Sequence, residues 1–287
     1  MNRKIILFAF LSLLGNLLFS QTYDFENQTY RYRVYFSDWD NPGFHFSFDK
    51  GKLEMDFPEL DDEMIENGIY IHETKKDIYE LSNQNDFLYL TAFGKKYLLL
   101  SYKDLLCVLV DCADYTTYFG INEKSEYVSS PKNPARIRDW WIGIDDPVHY
   151  ETKISSYLIE GKIKYDNKNV YNWQLKIPWA EGKIGSGIDE WIEKKSVWKT
   201  DKIVLLNGYV DPNHPDYFYK NERIKDLEVQ IGDKIFSYKL DDNPQLQILE
   251  LPDYFCGSIR IKIKSVYSGE KYTDTCLSYF LFLNEKK

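Results

Sequence analysis

The chain of 287 residues is 44% hydrophobic and 28% charged, an ordinary globular composition that argues against long disorder and leaves room for one large or two ordinary domains. Its formal charge is −9, and an acidic surface repels phosphate backbones and anionic headgroups, which excludes nucleic acid as an expected partner. Aromatic residues reach 17%, with 24 Tyr, 17 Phe and 7 Trp. Such rings suit half-buried pleated surfaces, so the composition points to sheet; they also suit the apolar face of a pyranose.

Residues 1–20 have the pattern of a signal peptide. Arg3 and Lys4 form a basic start, Ile5 to Leu14 an apolar run, and Ser20 a small residue at the end. The run is short for a bilayer span and Asn16 interrupts it, although an uncleaved N-terminal anchor is the rival reading. A leader of this kind places the mature protein outside the cytoplasm, secreted or in the periplasm and cell envelope. No later stretch resembles a transmembrane helix.

Residues 21–128 read as a small β-rich domain. Tyr30 to Phe36 and Phe44 to Phe48 alternate like strands, Phe87 to Ala92 and Lys96 to Tyr102 flank a turn at Phe93-Gly94-Lys95, and Leu105 to Val110 continues the pattern. The acidic stretch Glu59 to Glu66 fits a short helix or a loop. Strands at this spacing predict a small antiparallel barrel or sandwich, and a hollow barrel would have room for an apolar ligand. Cys107, Cys112, Cys256 and Cys276 permit two local disulfides in an oxidising compartment, or buried free thiols. They lack the CxxC spacing and histidine neighbours of a zinc site.

Residues 129–148 are rich in Pro and polar residues and read as a linker containing the tandem Trp140-Trp141. From 149 to 287 the chain is again strand-like. Runs at Trp191-Ile192, Lys202 to Asn207, Ile224 to Ile231, Lys234 to Leu240, Leu246 to Leu251, Ser258 to Val266 and Thr275 to Leu283 are each bounded by Gly, Pro, Asp or Asn. That is the strand supply of a β-sandwich. The expected class is therefore all-β, with no alternation of strand and helix.

A series of motifs runs in order through this half: Pro178-Trp179-Ala180-Glu181-Gly182, Gly185, Gly187, Glu190-Trp191-Ile192, Asn207-Gly208-Tyr209, Asn221-Glu222-Arg223-Ile224-Lys225, Val266-Tyr267-Ser268-Gly269 and Asp274-Thr275-Cys276-Leu277-Ser278. The series resembles the bacterial discoidin-like family of the NAD glycohydrolase translocation or glycan-binding type, related to the coagulation-factor 5/8 type C modules. The resemblance implies a galactose-binding-like jelly-roll sandwich with both termini near one end. It further implies carbohydrate recognition through loops at the opposite end, and no catalysis. Tyr279 departs from the acid that usually follows the serine, Asp189 from a glycine before Glu190, and Tyr171 to Ile177 lack the usual Asp-Gly turn.

Trp179, Glu181, Asn221 and Arg223 are the candidate ligand-binding residues. An indole covers a sugar's apolar face, and planar hydrogen-bonding groups match vicinal hydroxyls. The alternative is structural: Trp191 fits the core, and Arg223 can fork onto Glu181, Glu190 or Asp274 and tie two loops together. No catalytic or metal residues are expected. His45, His72, His149 and His214 have no metal-type spacing, Gly185-Ser186-Gly187 is no nucleophile elbow, and the carboxylate runs read as solvated turns. Asp241-Asp242-Asn243-Pro244 gathers oxygen donors without the spacing of a calcium loop, so a structural calcium ion is the one cofactor left open. The leading reading is an exported, non-catalytic binding protein that recognises a glycan. A protein-interaction module of the envelope is the alternative, and an enzyme with its site in the N-terminal domain a third.

Overall fold

The computed structural model describes residues 24–34, 44–59, 71–129, 141–142, 144, 151–171 and 175–284. The leader at 1–20 and the Trp140 ring lie outside these residues, as does most of the acidic stretch after Glu59.

The N-terminal strands are β1 (Thr29–Val34), β2 (His45–Asp49), β3 (Lys52–Glu59), β4 (Ile71–Ile78), β5 (Glu80–Gln84), β6 (Phe87–Ala92), β7 (Lys95–Tyr102), β8 (Leu106–Asp111) and β9 (Thr117–Asn122). They form one antiparallel sheet in the order β4-β3-β2-β1-β9-β8-β7-β6-β5. Its two edge strands, β4 and β5, are separated in the chain by Tyr79 alone, so the sheet rolls until its edges meet. Together they make one bent stave, which pairs with β3 through its first half and with β6 through its second. The closure is sealed where Asp77 accepts the Phe93 N–H at 2.6 Å and where the Phe57 and Phe93 rings lie 5.3 Å apart. The result is an up-and-down barrel with no long free edge. Two-residue turns at Lys50-Gly51 and Phe93-Gly94 carry positive φ at both positions, the hairpin geometry that matches strand twist.

Alternation sends Tyr30, Tyr32, Phe46, Phe48, Leu53 and Met55 into the barrel, where they meet Leu90, Tyr97, Leu99 and Leu109. The interior is packed: a Cβ on Gly120 would come within 2.5 Å of Phe46 and 2.8 Å of the Tyr30 Cβ. Rings occupy the centre in place of the hollow the sequence left open.

The C-terminal strands are β10 (Val128–Ser129), β11 (Trp141–Ile142), β12 (Thr152–Ile154), β13 (Ile159–Glu160), β14 (Ile163–Lys164), β15 (Trp179–Ala180), β16 (Trp191–Asn207), β17 (Glu222–Ile231), β18 (Lys234–Lys239), β19 (Leu246–Tyr267) and β20 (Thr275–Asn284), with one short helix, α1 (Asp216–Lys220). Strands β16 and β19 are each continuous where the sequence predicts two strands. Both bend, with register shifts between Ser196 and Thr200 opposite the Phe255–Gly257 region, where Gly257 sits at φ +114°. Bending lets each strand serve both layers. One layer holds β12, the first half of β16, the second half of β19, β17 and β18. The other holds the second half of β16 between the start of β19 and β20, with β15 beyond. Trp179, Leu205, Leu227, Ile261, Phe280 and Phe282 fill the space between them. Thr152 pairs with Lys194 and Asn284 with Thr200, so both ends of the sandwich leave at the bend. The loops before β16, β17 and β20 gather at the other end.

All ten residues of β20 are buried. Phe280 and Phe282 face the sandwich core, whereas Tyr279, Leu281 and Leu283, with Val204 and Leu206 of β16, face the barrel. There they join Leu98, Leu100, Val108, Phe119 and Ile121 in a second apolar core. The proposed linker takes part: Val128–Ser129 pairs with Trp141–Ile142, Ile144 bridges to Leu283, and Ile142 and Ile144 are buried in this shared core. Tyr279, the departure from the family's usual acid, packs 6.3 Å from the Phe119 ring, where a carboxylate would lose its water. None of the four cysteines forms a disulfide; Cys107 and Cys276 are buried thiols.

Candidate functional site

Four segments meet at the loop end of the sandwich: the hairpin of β13 and β14, the loop from Glu181 to Glu190, α1 with the start of β17, and the loop from Ser268 to Asp274. The four residues chosen from the sequence all lie here, below the surface. Trp179 is 1% exposed, Glu181 0%, Asn221 8% and Arg223 4%. Trp179 belongs to the sandwich core and its indole N–H donates to the Ser156 carbonyl at 3.0 Å. Asn221 ends α1, its amide donating to the Tyr217 carbonyl at 2.9 Å. Arg223 forks onto Asp242 through Nε at 2.9 Å and a terminal nitrogen at 2.8 Å. Its remaining nitrogen donates to the carbonyls of Asn221 and Ser268, at 2.8 and 3.0 Å. Arg223 thus ties two loops together, but through Asp242, which lies nineteen residues away in sequence and carries no mark in the motif series.

Glu181 is enclosed by backbone. Its carboxylate accepts the Lys183 N–H at 2.7 Å and the Thr275 N–H at 3.3 Å, and a Cβ on Gly187 would lie 2.5 Å from the Glu181 Cγ and 2.6 Å from its carboxyl carbon. Gly187, at φ +58°, is needed for both its conformation and this close approach. Burial pushes the Glu181 carboxyl up to about 7 against those two hydrogen bonds. Glu222 is the neighbour across Thr275, accepting from the Ser186 hydroxyl at 3.3 Å and the Thr275 hydroxyl at 3.5 Å. Burial raises its pKa, and burial with the nearby Glu160 raises that of Asp274. Glu190 collects the hydroxyls of Ser155 and Ser156, each at 2.5 Å. Asp189, the second departure from the family pattern, stands at φ +72° and pairs with Lys262 at 2.9 Å.

The accessible surface above this layer is made by residues the motif series does not mark. Backbone N–H groups of Glu270, Lys271 and Tyr272 donate to the last carbonyls of α1, Tyr219 and Lys220, at 2.9, 3.1 and 2.8 Å. Gly269 permits this docking, because a Cβ there would lie 2.3 Å from the Tyr272 carbonyl and 2.7 Å from that of Lys220. The clasp keeps the half-buried Tyr217 and the exposed Tyr272 near Lys220, whose ammonium lies 5.6 Å from the Tyr217 ring. Lys271 lies 4.8 Å over the Tyr272 ring. Elsewhere on the loops of this end, Tyr157 and Ile184 are exposed, the latter fully, as are Ile159 and Ile163 on the β13–β14 hairpin. Tyrosines are too frequent in this chain for composition to single these two out.

Asp242, in the oxygen run of the 241–244 turn, gives both carboxylate oxygens to Arg223. Among the described residues no group of three His, Cys, Asp or Glu could hold a metal ion. Among them, too, no helix is long and apolar enough to cross a membrane.

Two antiparallel layers sharing bent strands, with loops collected opposite the termini, define a discoidin-like β-sandwich. Residues 145–283 match the family model described as the NAD glycohydrolase translocation F5/8 type C domain, the family the motif series resembles. Solved structures similar to this part include the family 32 carbohydrate-binding module of C. perfringens NanJ in complex with galactose, at 11% identity and TM-score 0.35 over 47% of this chain and 94% of that one. Another is CpGH89CBM32-5 of Clostridium perfringens in complex with GalNAc-β-1,3-galactose, at 11% identity and TM-score 0.36 over 47% and 95%. A third is the mycobacterial arabinofuranosyltransferase AftD, at 10% identity and TM-score 0.37 over 47% of this chain but 11% of that one. No curated protein matches the chain.

Proposed function

We propose that this is an exported, non-catalytic binding protein that recognises carbohydrate, at the cell envelope or on a host surface, through the loop end of its C-terminal sandwich. The observation that carries the reading is the clasp between α1 and the Ser268–Asp274 loop, which holds the Tyr217 and Tyr272 rings near Lys220. Phenol faces for apolar C–H groups, with an ammonium for hydroxyls, are elements a saccharide site needs. The family match adds support from an independent direction. On this reading Trp179, Glu181, Asn221 and Arg223 act from beneath, holding the loops in register. The basic start and apolar run of residues 1–20 favour export. Glu181 and Glu222 are enclosed and hydrogen-bonded, a poor position for acid–base work on a substrate.

Glycan-array screening of the intact protein, followed by calorimetry, tests this. Tyr272→Ala and Tyr217→Ala should each weaken a detected saccharide by about tenfold or more, as loss of a stacking ring costs on the order of 1–2 kcal/mol. Unchanged affinity in both variants, or no saccharide bound at all, would overturn it. The exposed group Tyr157, Ile159, Ile163 and Ile184 favours a second reading, an envelope interaction module without sugar binding. A partner captured from envelope extract and released by Ile184→Asp but not by saccharide would establish that instead.

A further inference from the structure

Strand β18 lies at an edge of the sandwich. A two-residue turn, Gly232-Asp233 with Gly232 at φ +57°, joins it to β17, and among the described residues it pairs with β17 alone. A free row of backbone N–H and C=O groups is a template for another strand, so exposed edges are ordinarily shielded. This one is open to solvent: Lys234, Ile235, Ser237 and Lys239 are exposed, Ile235 by 59%.

The pairing with β17 fixes which groups are free. The turn makes Ile231 and Lys234 a hydrogen-bonded pair, and such pairs alternate along an antiparallel ladder. Lys234, Phe236 and Tyr238 therefore direct their N–H and C=O groups to β17, while those of Ile235, Ser237 and Lys239 point out of the sheet. Side chains alternate too. Phe236 and Tyr238 pack against the sandwich core, the Phe236 ring 6.3 Å from that of Phe255, whereas Ile235, Ser237 and Lys239 lie on the outer face.

We propose that β18 is a self-association edge, at which two copies of the chain pair β18 to β18, antiparallel about a two-fold axis, in the register centred on Phe236. This register keeps free groups opposite free groups. It sets Asp233 against Lys239 of the second copy, Lys234 against its Tyr238, and Ile235 against its Ser237. Centring on Ser237 instead would bring Asp233 toward Asp241 of the second copy, and centring on Ile235 would leave Asp233 opposite Ser237. Unlike charges directly opposite stabilise a strand pair and like charges weaken it, so the charged ends of the edge select one register. Edges of six residues bury less than the roughly 1,200 Å² of a stable complex, so the dimer is weak, with a Kd on the order of 100 µM. Antiparallel pairing points the two loop ends away from each other, so the dimer can bridge two glycan-bearing surfaces. That consequence rests on the saccharide reading above; the pairing does not.

Sedimentation velocity of the full chain between about 10 µM and about 1 mM, which brackets that Kd, should show monomer passing to dimer. Reductant is kept present so that exposed Cys256 does not link copies. Residue-resolved amide exchange at the two concentrations should slow at Ile235, Ser237 and Lys239 far more than at Phe236 or Tyr238. Asp233→Lys and Lys239→Asp should each weaken the dimer by about tenfold or more, since each change acts twice across the axis. An equimolar mixture of the two variants should recover it, because each altered charge then meets its opposite. A chain that stays monomeric at about 1 mM, a dimer whose exchange leaves β18 unchanged, or a mixture of the folded variants no tighter than either by itself would overturn the proposal. Exchange in the unaltered protein is decisive even if a variant disturbs the hairpin.

Discussion

Glu181 carries a carboxylate to a place water does not reach, and its folded-state pKa of about 7 lies above the ordinary value of 4.5. The folded chain therefore holds this proton more tightly than the unfolded chain does. Ionisation penalises the folded state increasingly as pH rises from 4.5 towards 7, and above that the full penalty, on the order of 2–3 kcal/mol, is present. Glu181→Gln should thus gain stability relative to the unaltered protein between about pH 5 and about pH 8, measured as the difference in urea midpoint. Parallel pH curves for the two proteins would contradict this origin. Arg223 shows the opposite use of burial: every nitrogen is hydrogen-bonded, and its planar fork matches Asp242. Arg223→Ala should cost about 2–4 kcal/mol, and Arg223→Lys somewhat less, because lysine keeps the charge but not the fork. Denaturant unfolding measures both. Asp189 shows how a departure from a family pattern is absorbed. Its left-handed backbone makes the demand a glycine would meet, and lysines on β19 hold its carboxylate.

Strand β20 does the work of two surfaces. Phe280 and Phe282 close the sandwich core while Tyr279, Leu281 and Leu283 close the core shared with the barrel. A strand buried on both faces reads as an unbroken apolar run, and Thr275 to Leu283 is such a run. Leu281→Ala should cost about 2–5 kcal/mol, in the range for emptying a packed interior site, with the loss seen in the melting of both domains. In the barrel the critical element is β9, where Gly120 sits against Phe46, Tyr30 and the Cys107 carbonyl. Gly120→Ala should overpack the interior and cost about 1–3 kcal/mol, read by thermal unfolding. The bent stave of β4 and β5 is mostly exposed and carries little apolar alternation, which is why periodicity passes over it.

At the scale of the whole molecule the barrel and the sandwich behave as one body because the face of each is finished by the other. Hydrogen bonds follow the same seam at both ends: Tyr127 to Asp201 at 2.7 Å, Gln245 accepting from Ser101 at 3.0 Å, and Tyr219 to Asp86. Domains joined by a large apolar core unfold together, so calorimetry should show one cooperative transition, matched by near-ultraviolet dichroism from the buried tyrosines. Two resolved transitions would show that the shared core contributes less than its burial implies.

Composition and alternation alone determine that this chain is all-β, because side-chain direction in a strand follows from local backbone geometry and leaves its period in the sequence. The motif series likewise marks the C-terminal family, since glycines at positive φ and close approaches, such as Gly187 over Glu181 and Gly269 under Tyr272, admit few substitutes. The motif residues chosen as a site gather at the loop end of the sandwich, below its surface. Trp179, Glu181, Asn221 and Arg223 lie beneath it, and a residue that must fit a crowded interior leaves the same mark as one that touches a ligand. Only the tertiary structure decided that β4 and β5 close a barrel and that Asp242 answers Arg223. Each joins groups from strands or loops that meet only once the chain has folded, and no local period encodes such a meeting.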